Sequence, residues 1–131
     1  MKSVRRVLAV DFDGTCVDHR YPDIGKDVPG CETVLRAVAE HGTDIVLFTM
    51  RSGDTLKEAV AWFADRQIPL WGVNVNPEQH TWTASPKAYA NAYVDDAAIG
   101  CPLRENPRHG GRPYVDWFAV ATLLRSSGFL A

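Results

Sequence analysis

The chain has 131 residues, 46% of them hydrophobic and 23% charged, which fits one soluble globular domain spanning 1–131. Fourteen basic against sixteen acidic side chains leave a formal charge of −2, which excludes the global basic field that drives nonspecific nucleic-acid binding. No apolar run approaches the roughly 20 residues of a membrane helix, charge follows the start too soon for a signal peptide, and the three cysteines lack metal-type spacing, so a cytoplasmic protein with reduced thiols is expected.

In chain order, Val7 to Val10 is a short apolar run suited to a strand buried on both faces. It ends in DFDGT, where strand alternation would send Asp11 and Asp13 the same way and Phe12 toward the core. Two carboxylates sharing a small space need a bound cation or a proton to offset their repulsion. The following stretch, residues 16–30, is rich in Pro, Gly and Asp and reads as a loop or small hairpin. A helix is predicted over Cys31 to Glu40, with Gly42 ending it. DIVLF, Asp44 to Phe48, is the second strand. A second helix is expected from about Thr55 to Gln67, with Leu56, Val60 and Phe63 on one face and Thr55/Glu58 as a capping box. Ile68 to Val75 is a third strand with uncertain edges, and AYV before Asp95 a fourth. Residues 100–113 read as loop with room for a short edge strand. A last helix is predicted from about Tyr114 to Ser126, burying Tyr114, Trp117, Phe118, Ala121 and Leu124.

Strands alternating with helices predict an α/β fold with a mainly parallel central sheet, a Rossmann-like three-layer sandwich. Active residues of such sheets gather at the carboxyl ends of the strands. Asp11 and Asp13 follow the first strand, Thr49 and Arg51 the second, and Asp95 and Asp96 the fourth, so they should converge on one rim.

A rim carboxylate can attack phosphorus to form an aspartyl-phosphate that water later hydrolyses, provided positive charge offsets the meeting of two anions. Oxygen ligands from Asp11 and Asp95 suit Mg²⁺. The Lys87 ammonium can pair with the nucleophile and the transferring phosphoryl group. The Thr49 hydroxyl, the backbone N–H groups from Phe12 through Gly14 to Thr15, and amides at the second helix N-terminus can supply further donors.

DFDGT after one apolar run, FTMR with Thr49 after another, then Lys87, then YVDDAAIG with Asp95 and Asp96 resembles the four ordered motifs of the haloacid dehalogenase superfamily of phosphohydrolases. The resemblance spans Val7 to about Gly100. It implies a Mg²⁺-dependent phosphomonoesterase in which Asp11 is the nucleophile and Asp13 is the general acid and base, with the Asp13 main-chain carbonyl also on the metal. It further implies that Thr49 and Lys87 hold the phosphoryl group and that Asp95 binds the metal. Asp96 either joins the metal through water, orients Asp95 and Lys87, or caps a helix.

Thr15 and Thr49 are 34 positions apart and Thr49 and Lys87 are 38 apart, too few in either interval for an inserted cap domain of on the order of 50 residues. The chain should resemble the capless members, with the 16–30 hairpin or a neighbouring subunit of a homo-oligomer covering the site. His19, Arg20 and Tyr21 are candidates for touching the leaving group, or else belong to a solvated loop. Arg51 is either a clamp for a second anionic group of the substrate or half of an ordinary salt bridge. The basic loop with Arg104, Arg108, His109 and Arg112 reads as solvated surface before it reads as a polyanion site.

A small phosphorylated substrate is expected first, with no membrane partner. The second option is a 3′-phosphatase acting on nucleic-acid ends, since an open site admits large substrates. From another class, a phospho-accepting signalling receiver shares length and residue types, but it places its adjacent acidic pair first and its phospho-acceptor later, the reverse of this order.

Overall fold

Four consecutive apolar residues, all buried, form β1 (Val7–Val10) at the centre of the computed structural model, which describes residues 6–131. With no polar side chain on either face, such a segment is stable only inside a sheet covered on both sides. β2 (Asp44–Leu47) pairs with it in parallel, Val10 opposite Leu47, and β4 (Ala92–Val94) does so on the other side, Val10 opposite Val94. β3 (Gly72–Val73) completes a parallel sheet of order β3-β2-β1-β4. The architecture is Rossmann-like α/β. No helix among the described residues is long and apolar enough to cross a membrane.

Helix α1 (Cys31–Glu40) has the predicted bounds. It ends where Gly42 adopts φ 98°, while the Thr43 N–H reaches back to the Val38 carbonyl. α2 (Gly53–Asp65) starts two residues earlier than expected and has no side-chain cap; the Thr55 hydroxyl donates to the Ser52 carbonyl, so the Thr55/Glu58 box does not form. It stops short of Gln67 because that residue turns left-handed at φ 56°. The expected third strand shrinks to two residues, since Pro69 has no N–H to give the ladder and Asn74 at φ 57° turns the chain out of it.

The last helix, α3 (Trp117–Ser126), begins three residues later than predicted, because the Asp116 carboxylate accepts from the N–H groups of Phe118 and Ala119 and fixes the start. Tyr114 and Val115 instead form β6 (Tyr114–Val115), antiparallel to β5 (Leu103–Arg104). Phe118, expected in the core, is exposed, and Val120 takes its place on the buried face.

The three-layer expectation needs correction. Leu8, Val10, Ile45, Leu47 and Val94 on one sheet face share a core with residues from all three helices. The opposite face, Val7, Ala9 and Val46, is covered by Ala90, Phe48 and Trp71. Right-handed crossovers explain the asymmetry. The connections through α1 and α2 step the same way across the sheet and so lie on the same face. The return from β3 to β4 must pass over the other face, and it does so through residues 74–91, whose helical content is one 3₁₀ turn (Gln79–Thr81).

Candidate functional site

Sheet register creates the centre of the site. Val10 lies opposite Val94, so Asp11 and Asp95 emerge next to each other one residue beyond the paired strands, on the same face. The Asp11 N–H still bonds the Val94 carbonyl at 3.0 Å, keeping the two chains in step. Asp96 follows, and ligand atoms of Asp11, Asp95 and Asp96 all lie within 4.8 Å of one another.

Burial, then the Asp95 charge, then contact with Asp96 push the Asp11 carboxyl up to about 8 from its ordinary 3.8, against a smaller downward pull from the Thr15 hydroxyl. Without a cation Asp11 is therefore largely protonated at neutral pH. A set of three carboxylates is a hard, all-oxygen donor set, and a divalent ion such as Mg²⁺ would relieve the repulsion recorded in the Asp11 shift.

The like charges crowding Asp11 are thus Asp95 and Asp96, and the expected Asp11/Asp13 pairing gives way. Alternation holds only while the strand lasts, and β1 ends at Val10. Beyond it the chain turns at Gly14, φ 82°, and the Asp13 carboxylate leaves the cluster for Arg51, with Nε on Oδ2 and Nη2 on Oδ1, both 2.8 Å.

Gly14 also differs from expectation as a phosphate donor, because its N–H is committed to the Val17 carbonyl at 2.7 Å. Its contribution is space: a Cβ there would run into the His19 ring and the Asp96 carboxylate. Thr15 N–H bonds the Phe12 carbonyl. The N–H groups of Phe12 and Asp13, the two residues that follow Asp11, have no acceptor among the described residues, and no described donor reaches the Asp13 carbonyl.

Thr15 carries a role that sequence reasoning missed. Its buried hydroxyl donates to Asp11 Oδ2 at 3.0 Å and accepts from the Asp96 N–H at 3.2 Å, joining the two ends of the site across the sheet. The signal was present as a hydroxyl four residues after Asp11 in DFDGT. Cys16, whose thiol burial pushes far up, donates its S–H to the Asp11 carbonyl at 3.3 Å and is a packing element of the same turn.

Thr49 stands at the end of β2, its N–H held by Asn74 Oδ1 at 2.8 Å and its hydroxyl oxygen accepting from Arg51 N–H at 3.2 Å, so the hydroxyl proton is left to donate outward. Asn74 is a further residue of the site that the sequence pattern does not single out: it lies within the expected third strand, yet its left-handed turn points the amide back at Thr49.

Arg51, a candidate substrate clamp, is buried and has no donor to spare. Beyond Asp13, Nη1 reaches the carbonyls of Pro22 (3.2 Å) and Thr55 (3.3 Å), and Nη2 that of Asp23 (2.8 Å). Of the two earlier readings, the salt bridge is the one that forms.

Asp96 does not cap a helix, since a turn follows it; its Oδ2 meets His19 Nε2 at 2.8 Å. His19 therefore reaches the acidic cluster itself from the flap. Arg20 is exposed, in a surface cleft with Lys26 and Arg108. The basic loop is partly a clasp, with Arg108 Nε 2.8 Å and Asn106 Nδ2 2.6 Å from the Asp18 carboxylate; burial pushes that carboxyl up, but the bonds and charge of Arg108, with Asn106 and the His19 backbone, together outweigh it and hold its pKa below the ordinary value. Lys87 is exposed, its Nζ 5.5 Å from the Tyr93 ring centroid, and no ion pair joins it to a described carboxylate.

A scan against protein-family models finds no match, and no curated protein matches. Among solved structures the chain is similar to a conserved protein from Bacteroides thetaiotaomicron, with 30% sequence identity, a TM-score of 0.76, and coverage of 95% of this chain and 93% of that one. The chain belongs to the same family as that conserved Bacteroides protein.

Proposed function

We propose that the protein is a divalent-cation-dependent phosphohydrolase of the haloacid dehalogenase type, acting on phosphomonoesters through an aspartyl-phosphate on Asp11. The observation that carries this reading is the convergence of Asp11, Asp95 and Asp96 within 4.8 Å at the carboxyl edge of a parallel sheet, contributed by two segments distant in sequence. Asp11, Asp95 and Asp96, with the Asp13 carbonyl, would hold Mg²⁺. Once bound, the ion would favour ionised Asp11 and withdraw charge from a phosphoryl oxygen.

The chain's own groups then divide the work. The Phe12 and Asp13 N–H groups and the Thr49 hydroxyl stand ready to donate to phosphoryl oxygens. An Asp11 carboxylate oxygen attacks phosphorus as the ester P–O bond breaks, and protonated Asp13 gives its proton to the leaving oxygen. In the second step Asp13, now ionised, takes a proton from water, whose oxygen attacks phosphorus; the Asp11–phosphorus bond breaks and inorganic phosphate leaves. The two-bond pair with Arg51 is that of the ionised carboxylate, the form that takes the proton from water in the second step; Arg51 fills two of its roughly four acceptor positions, leaving another to carry the proton that the first step spends. Lys87 is the proposed partner for phosphoryl charge and would swing in from its place over Tyr93.

Hydrolysis of 4-nitrophenyl phosphate and phenyl phosphate, with Mg²⁺ and with EDTA, tests the reading. Activity should need the ion and fall by on the order of 10⁴ or more in Asp11→Asn. Asp13→Asn should lose more with phenyl phosphate, whose leaving group needs a proton, than with the nitrophenyl ester. Equal rates in wild type and Asp11→Asn would remove the covalent route.

A further inference from the structure

We propose that Arg51 is a positioning residue that acts through Asp13, tying the orientation of that carboxylate to the closed state of the 16–30 flap; this rests on the phosphohydrolase reading above. The Arg51 side chain is 1% exposed, between the rings of Phe12 and Tyr21 with centroids 5.1 and 5.2 Å from Cζ. A buried guanidinium must satisfy its five donors within the protein, because it has given up the water that would otherwise accept them. Here all five are used: two on Asp13, two on the flap carbonyls of Pro22 and Asp23, and one on the Thr55 carbonyl of α2.

The fork is planar and rigid, so these acceptors cannot be exchanged independently. If the flap lifts, the carbonyls of Pro22 and Asp23 leave, and the guanidinium must follow them or turn toward water; either motion releases the plane of the Asp13 carboxylate. Conversely, Asp13 pins the guanidinium that holds the flap. The same turn carries Thr49, whose hydroxyl oxygen accepts the Arg51 N–H, so a donor to phosphate and the holder of the acid move as one piece. In a chain with no inserted cap, this device makes proton delivery depend on a covered site.

The test compares wild type, Arg51→Lys, Arg51→Gln, Asp13→Asn and the Asp13→Asn/Arg51→Gln double variant. Rates are measured with phenyl phosphate and 4-nitrophenyl phosphate in Mg²⁺, and hydrogen exchange is followed across residues 16–30 without substrate. Arg51→Gln should lower kcat for phenyl phosphate by on the order of 100-fold and for the nitrophenyl ester by less than about tenfold. In the Asp13→Asn background it should cost little more, because the two act as a unit. Arg51→Lys, which keeps charge and bulk but not the fork, should show the same ester dependence if Arg51→Gln fails to fold.

Exchange should quicken at the Asp18 and Val28 amides, which bond the carbonyls of Lys26 and Cys16 within the flap, in both Arg51→Gln and Asp13→Asn. Equal losses on the two esters, or full additivity with Asp13→Asn, would overturn the acid-positioning role. Flap exchange unchanged in both single variants would overturn the coupling even if wild type turned over neither ester, a result that would separately end the phosphohydrolase reading.

Discussion

The Thr15 hydroxyl donates to Asp11 Oδ2 at 3.0 Å while accepting the Asp96 N–H at 3.2 Å, so one fully buried oxygen braces the first and last acidic residues of the site. A hydrogen bond to an ionised carboxylate stabilises its charged form, and losing one costs about 1.5–3 kcal/mol. Thr15→Val should therefore raise the Asp11 pKa further and weaken Mg²⁺ binding by about tenfold or more, with Thr15→Ser close to wild type. Calorimetric titration of the three proteins with Mg²⁺ checks this, and equal affinities would refute it.

The Asp11 shift sets how stability of the cation-free protein varies with pH. The folded carboxyl titrates at about 8 and its ordinary value is 3.8, so between these values the native chain holds a proton that the unfolded chain releases. Its contribution is complete below about 4 and is lost as pH rises through 8. In EDTA the melting temperature should drop from pH 5.5 to pH 8.5 by more than in an Asp11→Asn control. Added Mg²⁺ should stabilise most at the alkaline end, because binding then displaces no proton.

The Asp95 charge is the largest upward influence on Asp11 after burial. Asp95→Asn should thus lower the Asp11 pKa and stabilise the cation-free fold at pH 8 while abolishing the Mg²⁺-dependent rise in melting temperature. Thermal melts with and without Mg²⁺ separate the two effects. A variant both less stable in EDTA and still Mg²⁺-responsive would contradict the assigned geometry.

Gly14→Ala is expected to be far more harmful than an exposed glycine change. The position needs φ 82°, and the new methyl would collide with the His19 ring and the Asp96 carboxylate. We expect a loss of about 2 kcal/mol or more together with loss of the Mg²⁺ response, measured by urea denaturation and melting. Gly42→Ala, at φ 98° but with open space around it, should cost only about 1 kcal/mol and keep the Mg²⁺ response.

Much of this was legible locally. β1 and α1 followed from an unbroken apolar run and from 3.6-residue periodicity with a glycine beyond it, signals contained in a dozen residues. Asp11 and Asp95 could be assigned to one rim because each follows an apolar run in an alternating α/β pattern. What failed depended on distant parts of the chain. The direction of Asp13 is decided by Arg51, 38 residues away, and the burial of Arg51 by carbonyls of a flap with little regular structure. The start of α3 turned on Asp116 outcompeting an apolar face that Tyr114 extends in the sequence. The missing helical third layer was hidden because residues 74–91 are of ordinary crossover length while lacking helical periodicity.

The lateral pairing of β1 with β4 also predicts where the gene can change length. Deleting or inserting one codon within 7–10 or 92–94 would turn one of Asp11 and Asp95 to the opposite side of the sheet, since side chains alternate with a period of two. Indels should therefore be absent from these two short windows among functional variants.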